Sequence, residues 1–167
     1  MKRSRDVDAL VATLAEAIDR RLSERGRRAP LMVGVHTGGA WVARRLHTLL
    51  GIEEPLGTLN INFYRDDFTR IGMHPMVKPS ELFSVDDRHV VLIDDVLHTG
   101  RTIRAALNEI FDWGRPASVT LGVLVERPGR EIPIQADAIG ESLDLAGDEY
   151  VKLRGPDPLT MEITRKS

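Results

Sequence analysis

The stretch Val90-Val91-Leu92-Ile93-Asp94-Asp95-Val96-Leu97-His98-Thr99-Gly100-Arg101-Thr102 decides how the chain is read. His89 to Asp94 is a continuous apolar run with polar flanks, the pattern of a central parallel strand covered on both faces. It meets two adjacent carboxylates, then a turn of hydroxylated residues and glycine, then a helix marked by Ile103, Ala106, Leu107 and Ile110. The first N–H groups of a helix have no partner within it and carry the positive end of its dipole, so such a turn suits a phosphate. Gly100 allows close backbone approach, and Thr99 and Thr102 add hydroxyl donors. Carboxylates repel a bare phosphate but accept from sugar hydroxyls and serve Mg²⁺ directly or through its waters. One acid closing a strand is ordinary; two, followed by Thr-Gly-Arg-Thr at a helix start, point to a sugar phosphate carrying Mg²⁺.

Upstream, Val7, Leu10, Val11, Leu14, Ile18 and Leu22 predict an amphipathic helix over about 6–25, stopped at Gly26. Leu31 to Val35 reads as a buried strand ended by His36-Thr37-Gly38-Gly39, and a second helix runs from Ala40 to about Leu50. Thr58 to Tyr64 alternates as a strand does. Residues 65–80 have no sustained period, and a loop of that length in a compact domain is usually functional. Downstream, Gly114 and Pro116 end the third helix and Val119 to Val125 is another buried strand. Three β-like runs close the chain: Ile132–Ile139, Glu149–Leu153 and Leu159–Thr164. Strands alternating with helices predict an α/β fold, a doubly wound and mostly parallel sheet. Ligands bind such sheets at the carboxyl ends of the strands, which brings the loops 36–39, 65–80 and 94–102 together.

The 167 residues fit a single domain spanning 1–167, with no repeats and no linker. No apolar run approaches the roughly 18 residues of a membrane span. Charges near the N-terminus stand where a secretion signal needs an apolar core, so a cytoplasmic protein is expected. With Cys 0, disulfides, thiolate nucleophiles and Cys-ligated zinc are excluded. The formal net charge of −2 argues against an overall nucleic-acid footprint. Residues 1–28, however, hold eight basic against five acidic side chains, +3, which leaves −5 for the remainder. A solvated helix face is the plainer account of that excess. Neither Gly-x-x-x-x-Gly-Lys-[Ser/Thr] nor Gly-x-Gly-x-x-Gly occurs, which removes the main support for P-loop and dinucleotide-binding readings.

The segment 90–102 resembles the phosphoribosyl-pyrophosphate (PRPP) motif of the type I phosphoribosyltransferases. Asn60–Asp67, Ile93–Arg104, Gly114–Ser118 and Glu126–Asp137 together resemble the branch of that family joining uracil phosphoribosyltransferase activity to regulation of pyrimidine genes. The likeness runs in order along nearly the whole chain and implies a small β hood near the C-terminal part. It also implies conversion of uracil and PRPP to UMP and pyrophosphate with Mg²⁺. Asp94 and Asp95 then hold the ribose hydroxyls and, through water or substrate, the metal. Leu97, His98, Thr99, Gly100, Arg101 and Thr102 receive the 5′-phosphate, and His36, Thr37, Gly38 and Gly39 face the pyrophosphate. Arg65, with Tyr64 and Asp66 at the start of a closing loop, is the candidate catalytic cation, and Arg127 and Ile132 belong to the hood over the base. His98 is either a solvated loop residue or a proton carrier. Trp41 is expected in the core, and dimers or tetramers are implied.

The chain departs from that branch in two places. Members acting on RNA usually carry Lys and Arg in the first loop, where this chain has His36 and Gly38. Gly129 and Gln135 also stand where basic residues are expected, and Arg127 and Arg130 face Glu126, Glu131 and Asp137, a local balance of −1. A leader-RNA surface would draw on Arg20, Arg21, Arg25, Arg27, Arg28 and Arg130. RNA affinity depends on neutralising several phosphates, so these missing charges count against RNA attenuation. The alternative from another class is a sensor of UMP or PRPP that acts on RNA or a partner with little turnover. Transfer to another base is a variant of the enzyme reading.

Overall fold

The computed structural model describes residues 3–61 and 84–167. The expected loop 65–80, with Arg65, lies outside the described residues, as do residues 62–64 of the expected strand.

Two sheets share the chain. The larger is built from β2 (Leu31–Val35), β3 (Gly57–Leu59), β4 (His89–Leu97), β5 (Ser118–Glu126) and β6 (Ala138–Ser142), in the order β3-β2-β4-β5-β6. All its pairings are parallel. Parallel neighbours need crossovers, and these are supplied by α2 (Gly38–Leu50) and α3 (Arg101–Trp113). The smaller sheet, β1-β8-β7, is antiparallel and joins β1 (Arg3–Arg5) to β7 (Glu149–Arg154) and β8 (Thr160–Arg165). The expected hood sheet near the C-terminus therefore includes an N-terminal strand. Among the described residues no helix is long and apolar enough to cross a membrane.

The α1 helix (Val7–Glu24) buries Val7, Val11, Leu14, Ala15, Ile18 and Leu22, the stripe its spacing predicts. Asp6 caps it by accepting from the Ala9 N–H at 3.2 Å. Gly26, just past its end, is left-handed at φ 61°. This stripe packs with Val42, Ala43 and Leu46 of α2 on one face of the large sheet. Ile103, Ala106 and Ile110 of α3 close the other face over Val90, Leu92 and Val123. Leu14 and Ile18 are fully buried, and each such side chain contributes about 1.5–3 kcal/mol. Trp41 is half-buried against the α1–α2 cluster.

Two expected boundaries move. β4 does not stop at the acids: it continues to Leu97, because β5 pairs with it as far as Leu97↔Glu126. The run Ile132–Ile139 is no strand over most of its length; residues 132–137 form a loop and β6 begins at Ala138. Pro133 has no N–H to offer a ladder. Ile132 and Ile134 instead lie beside Gly100, at the start of α3.

Candidate active site

The site grows from β4. The two acids differ in burial, yet both carboxylates reach the start of α2. Asp94 is turned inward, 5% exposed, and Asp95 is half-buried. Asp94 Oδ1 accepts from the Asp95 N–H and Asp95 Oδ1 accepts from the Val96 N–H, both at 2.8 Å. Burial, reinforced by the like charge of Asp95, raises the Asp94 pKa well above the ordinary carboxylate range. Such a group gains from any hydroxyl donor or cation that reaches it.

The first loop meets these acids directly. His36 N–H donates to the Leu59 carbonyl at 2.8 Å, Thr37 is the N-cap residue of α2, and Gly38 and Gly39 open that helix. A Cβ on Gly39 would lie 2.8 Å from the Ile93 carbonyl oxygen and 2.9 Å from Asp94 Cα. A Cβ on Gly38 would collide with the Asp95 carboxylate. Two glycines thus bring the positive end of α2 onto the two acids, a contact no spacing in the sequence displays.

Three residues beyond Asp95 the chain enters the turn His98-Thr99-Gly100 and then α3. Gly100 is left-handed at φ 93°, and a Cβ there would sit 3.0 Å from Ile132 and 3.1 Å from Ile134. Close packing is therefore a second reason for glycine, beside phosphate approach. Thr99 Oγ1 accepts from the Arg101 N–H at 3.2 Å, and Arg101 pairs with Glu131 at 3.3 Å. His98, Arg101 and Thr102 are exposed. The His98 pKa is lowered by partial burial and then by the Arg127 and Arg130 cations, against an opposing Glu131.

The remaining candidates fall into three groups. Arg127 is buried, 7% exposed, and its guanidinium donates to the carbonyls of Glu149 at 2.7 Å and Ala146 at 3.2 Å, tying β5 to the approach to β7. Arg130 spends its donors on Ile134, His98, Arg127 and Glu126. The helix-end arginines lie by the amino ends of the parallel strands, away from the acids. Arg21 donates to the Asp137 carbonyl, Arg25 pairs with the Asp137 carboxylate at 3.1 Å and Arg27 donates to Thr120 at 2.6 Å. Arg20 and Arg28 are exposed on the same end.

Among the described residues no group of three His, Cys, Asp or Glu side chains gathers to hold a metal. Two adjoining carboxylates fit Mg²⁺ only as partial ligands, with the other positions left to water or to substrate oxygens.

A model described as "Phosphoribosyl transferase domain" matches residues 3–149. The chain is 63% identical over 163 residues to the bifunctional protein PyrR of Nitrosococcus oceani, covering 96% of this chain and 92% of that protein. It is 58% identical over 154 residues to the protein of the same name from Pseudomonas paraeruginosa, covering 92% and 91%. Among solved structures, a purine phosphoribosyltransferase from Pyrococcus horikoshii matches with TM-score 0.62 and 26% identity, over 82% of each chain. A hypoxanthine-guanine phosphoribosyltransferase from Leishmania tarentolae has TM-score 0.65 at 19% identity, over 87% of this chain and 79% of that one, a likeness of fold.

Proposed function

The chain belongs to the phosphoribosyltransferase family, on its PyrR branch, and from that premise we propose how its cleft joins uracil to PRPP to give UMP and pyrophosphate. The observation that carries the reading is the contact of Asp94 and Asp95 with the Gly38–Gly39 start of α2, followed at once by a second helix start at Thr99–Thr102. Two dipole ends and two carboxylates in one cleft match a ribose with a phosphate on either side.

In this reading Asp94 and Asp95 accept from the ribose hydroxyls, which favours their charged forms and offsets the penalty on buried Asp94. Residues 97–102 take the 5′-phosphate and residues 36–39 the pyrophosphate. Ile132, beside Gly100, stands on the base side. Arg127 holds the hood sheet in place rather than reaching the base. Breaking the anomeric bond develops oxocarbenium character while charge grows on the leaving group. Helix N–H groups and the Arg65 side chain neutralise that charge. Mg²⁺, when bound with PRPP, supplies further Lewis-acid neutralisation of the pyrophosphate oxygens. No covalent nucleophile is required. The reaction is placed in the cytoplasm.

The test is a panel of uracil, orotate, hypoxanthine, guanine and adenine with PRPP and Mg²⁺. Uracil-only turnover, lost in the Asp94→Asn/Asp95→Asn double variant with its fold intact, is expected. Wild-type turnover in that variant would remove the sugar-binding assignment.

The regulatory half of the reading rests on RNA. With Arg21, Arg25, Arg27 and Arg130 already bonded within the chain, Arg20 and Arg28 are the exposed cations on offer. Weak hairpin binding follows; nanomolar affinity at physiological salt would contradict it. Association into dimers or tetramers belongs to the same reading and is checked by light scattering.

A further inference from the structure

The phosphate turn is held from behind by one strip of chain. Arg127 N–H donates to the Leu97 carbonyl at 3.0 Å, and Glu131 and Ile132 N–H both donate to the Thr99 carbonyl, at 2.9 and 3.3 Å. The carbonyl between them, that of His98, accepts instead from a side chain: Arg130 Nη1, at 2.8 Å. The same guanidinium donates to the Arg127 carbonyl at 2.8 Å and the Ile134 carbonyl at 2.9 Å, and pairs with the Glu126 carboxylate.

A trans peptide is planar, with its N–H pointing opposite to its C=O. Three consecutive carbonyls, of Leu97, His98 and Thr99, face the strip 127–132. Each following N–H, of His98, Thr99 and Gly100, therefore points opposite to the carbonyl of its own peptide, which the strip holds. Successive N–H groups on one side of a turn form an anion-binding concavity. Backbone–backbone bonds fix the first and third peptides, and the Arg130 side chain bonds the carbonyl of the middle one. Gly129, left-handed at φ 119°, leaves room for the His98 ring: a Cβ there would lie 2.9 Å from Nε2.

We propose that Arg130 is a positioning residue: by holding the His98 carbonyl it turns the Thr99 N–H toward the substrate's 5′-phosphate, and so sets affinity for phosphorylated ribose. The proposal rests on the assignment of residues 97–102 to that phosphate. It gives Arg130 a role inside the catalytic cleft rather than on an RNA surface.

The experiment is calorimetric binding of UMP, ribose 5-phosphate and magnesium pyrophosphate to the wild-type protein, Arg130→Gln and Arg130→Lys, with melting temperatures alongside. Arg130→Gln is expected to weaken UMP and ribose 5-phosphate alike, by about tenfold, the loss of one hydrogen bond to a charged group. Pyrophosphate, met by the other loop, is expected to bind as before. Lysine keeps the charge beside Glu126 but cannot serve four acceptors, so a smaller loss in the same two ligands is expected; it also decides the matter if the glutamine variant does not fold. Equal weakening of all three ligands, or unchanged ribose 5-phosphate affinity, would overturn the proposal, as would loss of hairpin-RNA binding alone. Wild-type preference for GMP over UMP would instead overturn the uracil reading, with ribose 5-phosphate still deciding the role of Arg130.

Discussion

Adding one methyl group at Gly39 tests whether the contact between α2 and the acid-bearing strand makes the site. The new Cβ would lie 2.8 Å from the Ile93 carbonyl oxygen and 2.9 Å from Asp94 Cα and Oδ1, about 0.5 Å inside ordinary contact. Two of these three atoms are backbone of a central strand, and the third belongs to a buried side chain. No rotamer change relieves them, so the start of α2 must lift from β4. Overpacking of this kind costs about 1–3 kcal/mol. For a domain of this size 1 kcal/mol moves the melting temperature by roughly 2–4 °C, so Gly39→Ala is expected to melt about 4–8 °C lower for a 2 kcal/mol loss. Gly38→Ala is the matched comparison. Its Cβ meets the tip of Asp95, a movable carboxylate that must retreat by about 1 Å. Stability should stay near wild type, whereas a displacement of about 1 Å at a positioning group can cost about 100-fold in rate. Calorimetry and initial rates at varied PRPP read both quantities. Wild-type melting temperature and wild-type kcat/KM in Gly39→Ala would refute the argument, because the helix would then not be resting on the acids.

Three further outcomes follow from the electrostatics. The Asp94 pKa is raised in the folded protein, so the unfolded chain ionises first and stability falls as pH rises from the unfolded value through the folded one. Asp94→Asn, which keeps an acceptor for the Asp95 N–H, should melt higher than wild type at pH 8, with the gap closing near pH 4. Chelation of Mg²⁺ should abolish transfer yet leave the melting temperature of the substrate-free protein unchanged, since the described residues gather no three-ligand cluster; a fall on adding chelator would reveal a structural metal. The His98 pKa lies below 6.5, so this ring is neutral at pH 7.5, and His98→Asn should keep KM for PRPP within about twofold there. As the pH falls through its lowered pKa the wild-type ring gains charge beside the phosphate, and its KM should fall relative to that of the variant.

What the sequence displayed was whatever repeats with a period. The stripe of α1 and the buried strands β2, β4 and β5 were legible because apolar spacing records which face meets the core. The end of β4 was misread for a definite reason: carboxylates interrupt an apolar run, but ladder pairing with β5 does not depend on side chains and carries the strand to Leu97. The strand β1, Arg-Ser-Arg, has no apolar signal at all and exists through backbone pairing with β8. Ile132 and Ile134 looked like strand residues because a loop packed under a helix start is as apolar as a strand. At the site, the two acids and the Thr-Gly-Arg-Thr turn could be found from local chemistry. The Gly38–Asp95 contact and the carbonyl partners of Arg130 could not, since a backbone acceptor leaves no mark on residue type.

Asp94 shows why the site sits where it does. A carboxylate buried beside a second carboxylate opposes folding, and the sheet tolerates it on an interior strand, where Asp94 pairs with Val123 of β5. Ladder bonds to β5 hold the backbone of Asp94 in place, while the half-buried Asp95 carboxylate keeps some freedom to move. The α2 start approaches them on two glycines, and its dipole offsets part of their repulsion. The site is thereby incomplete by charge rather than by shape. A ribose bearing phosphates and Mg²⁺ brings hydroxyl donors and a cation to the pair at once. A ligand that relieves a penalty built into the fold gains affinity from it. PRPP with Mg²⁺ should therefore raise the melting temperature of wild type more than that of Asp94→Asn, and equal increments in the two proteins would show that the buried charge plays no part in binding.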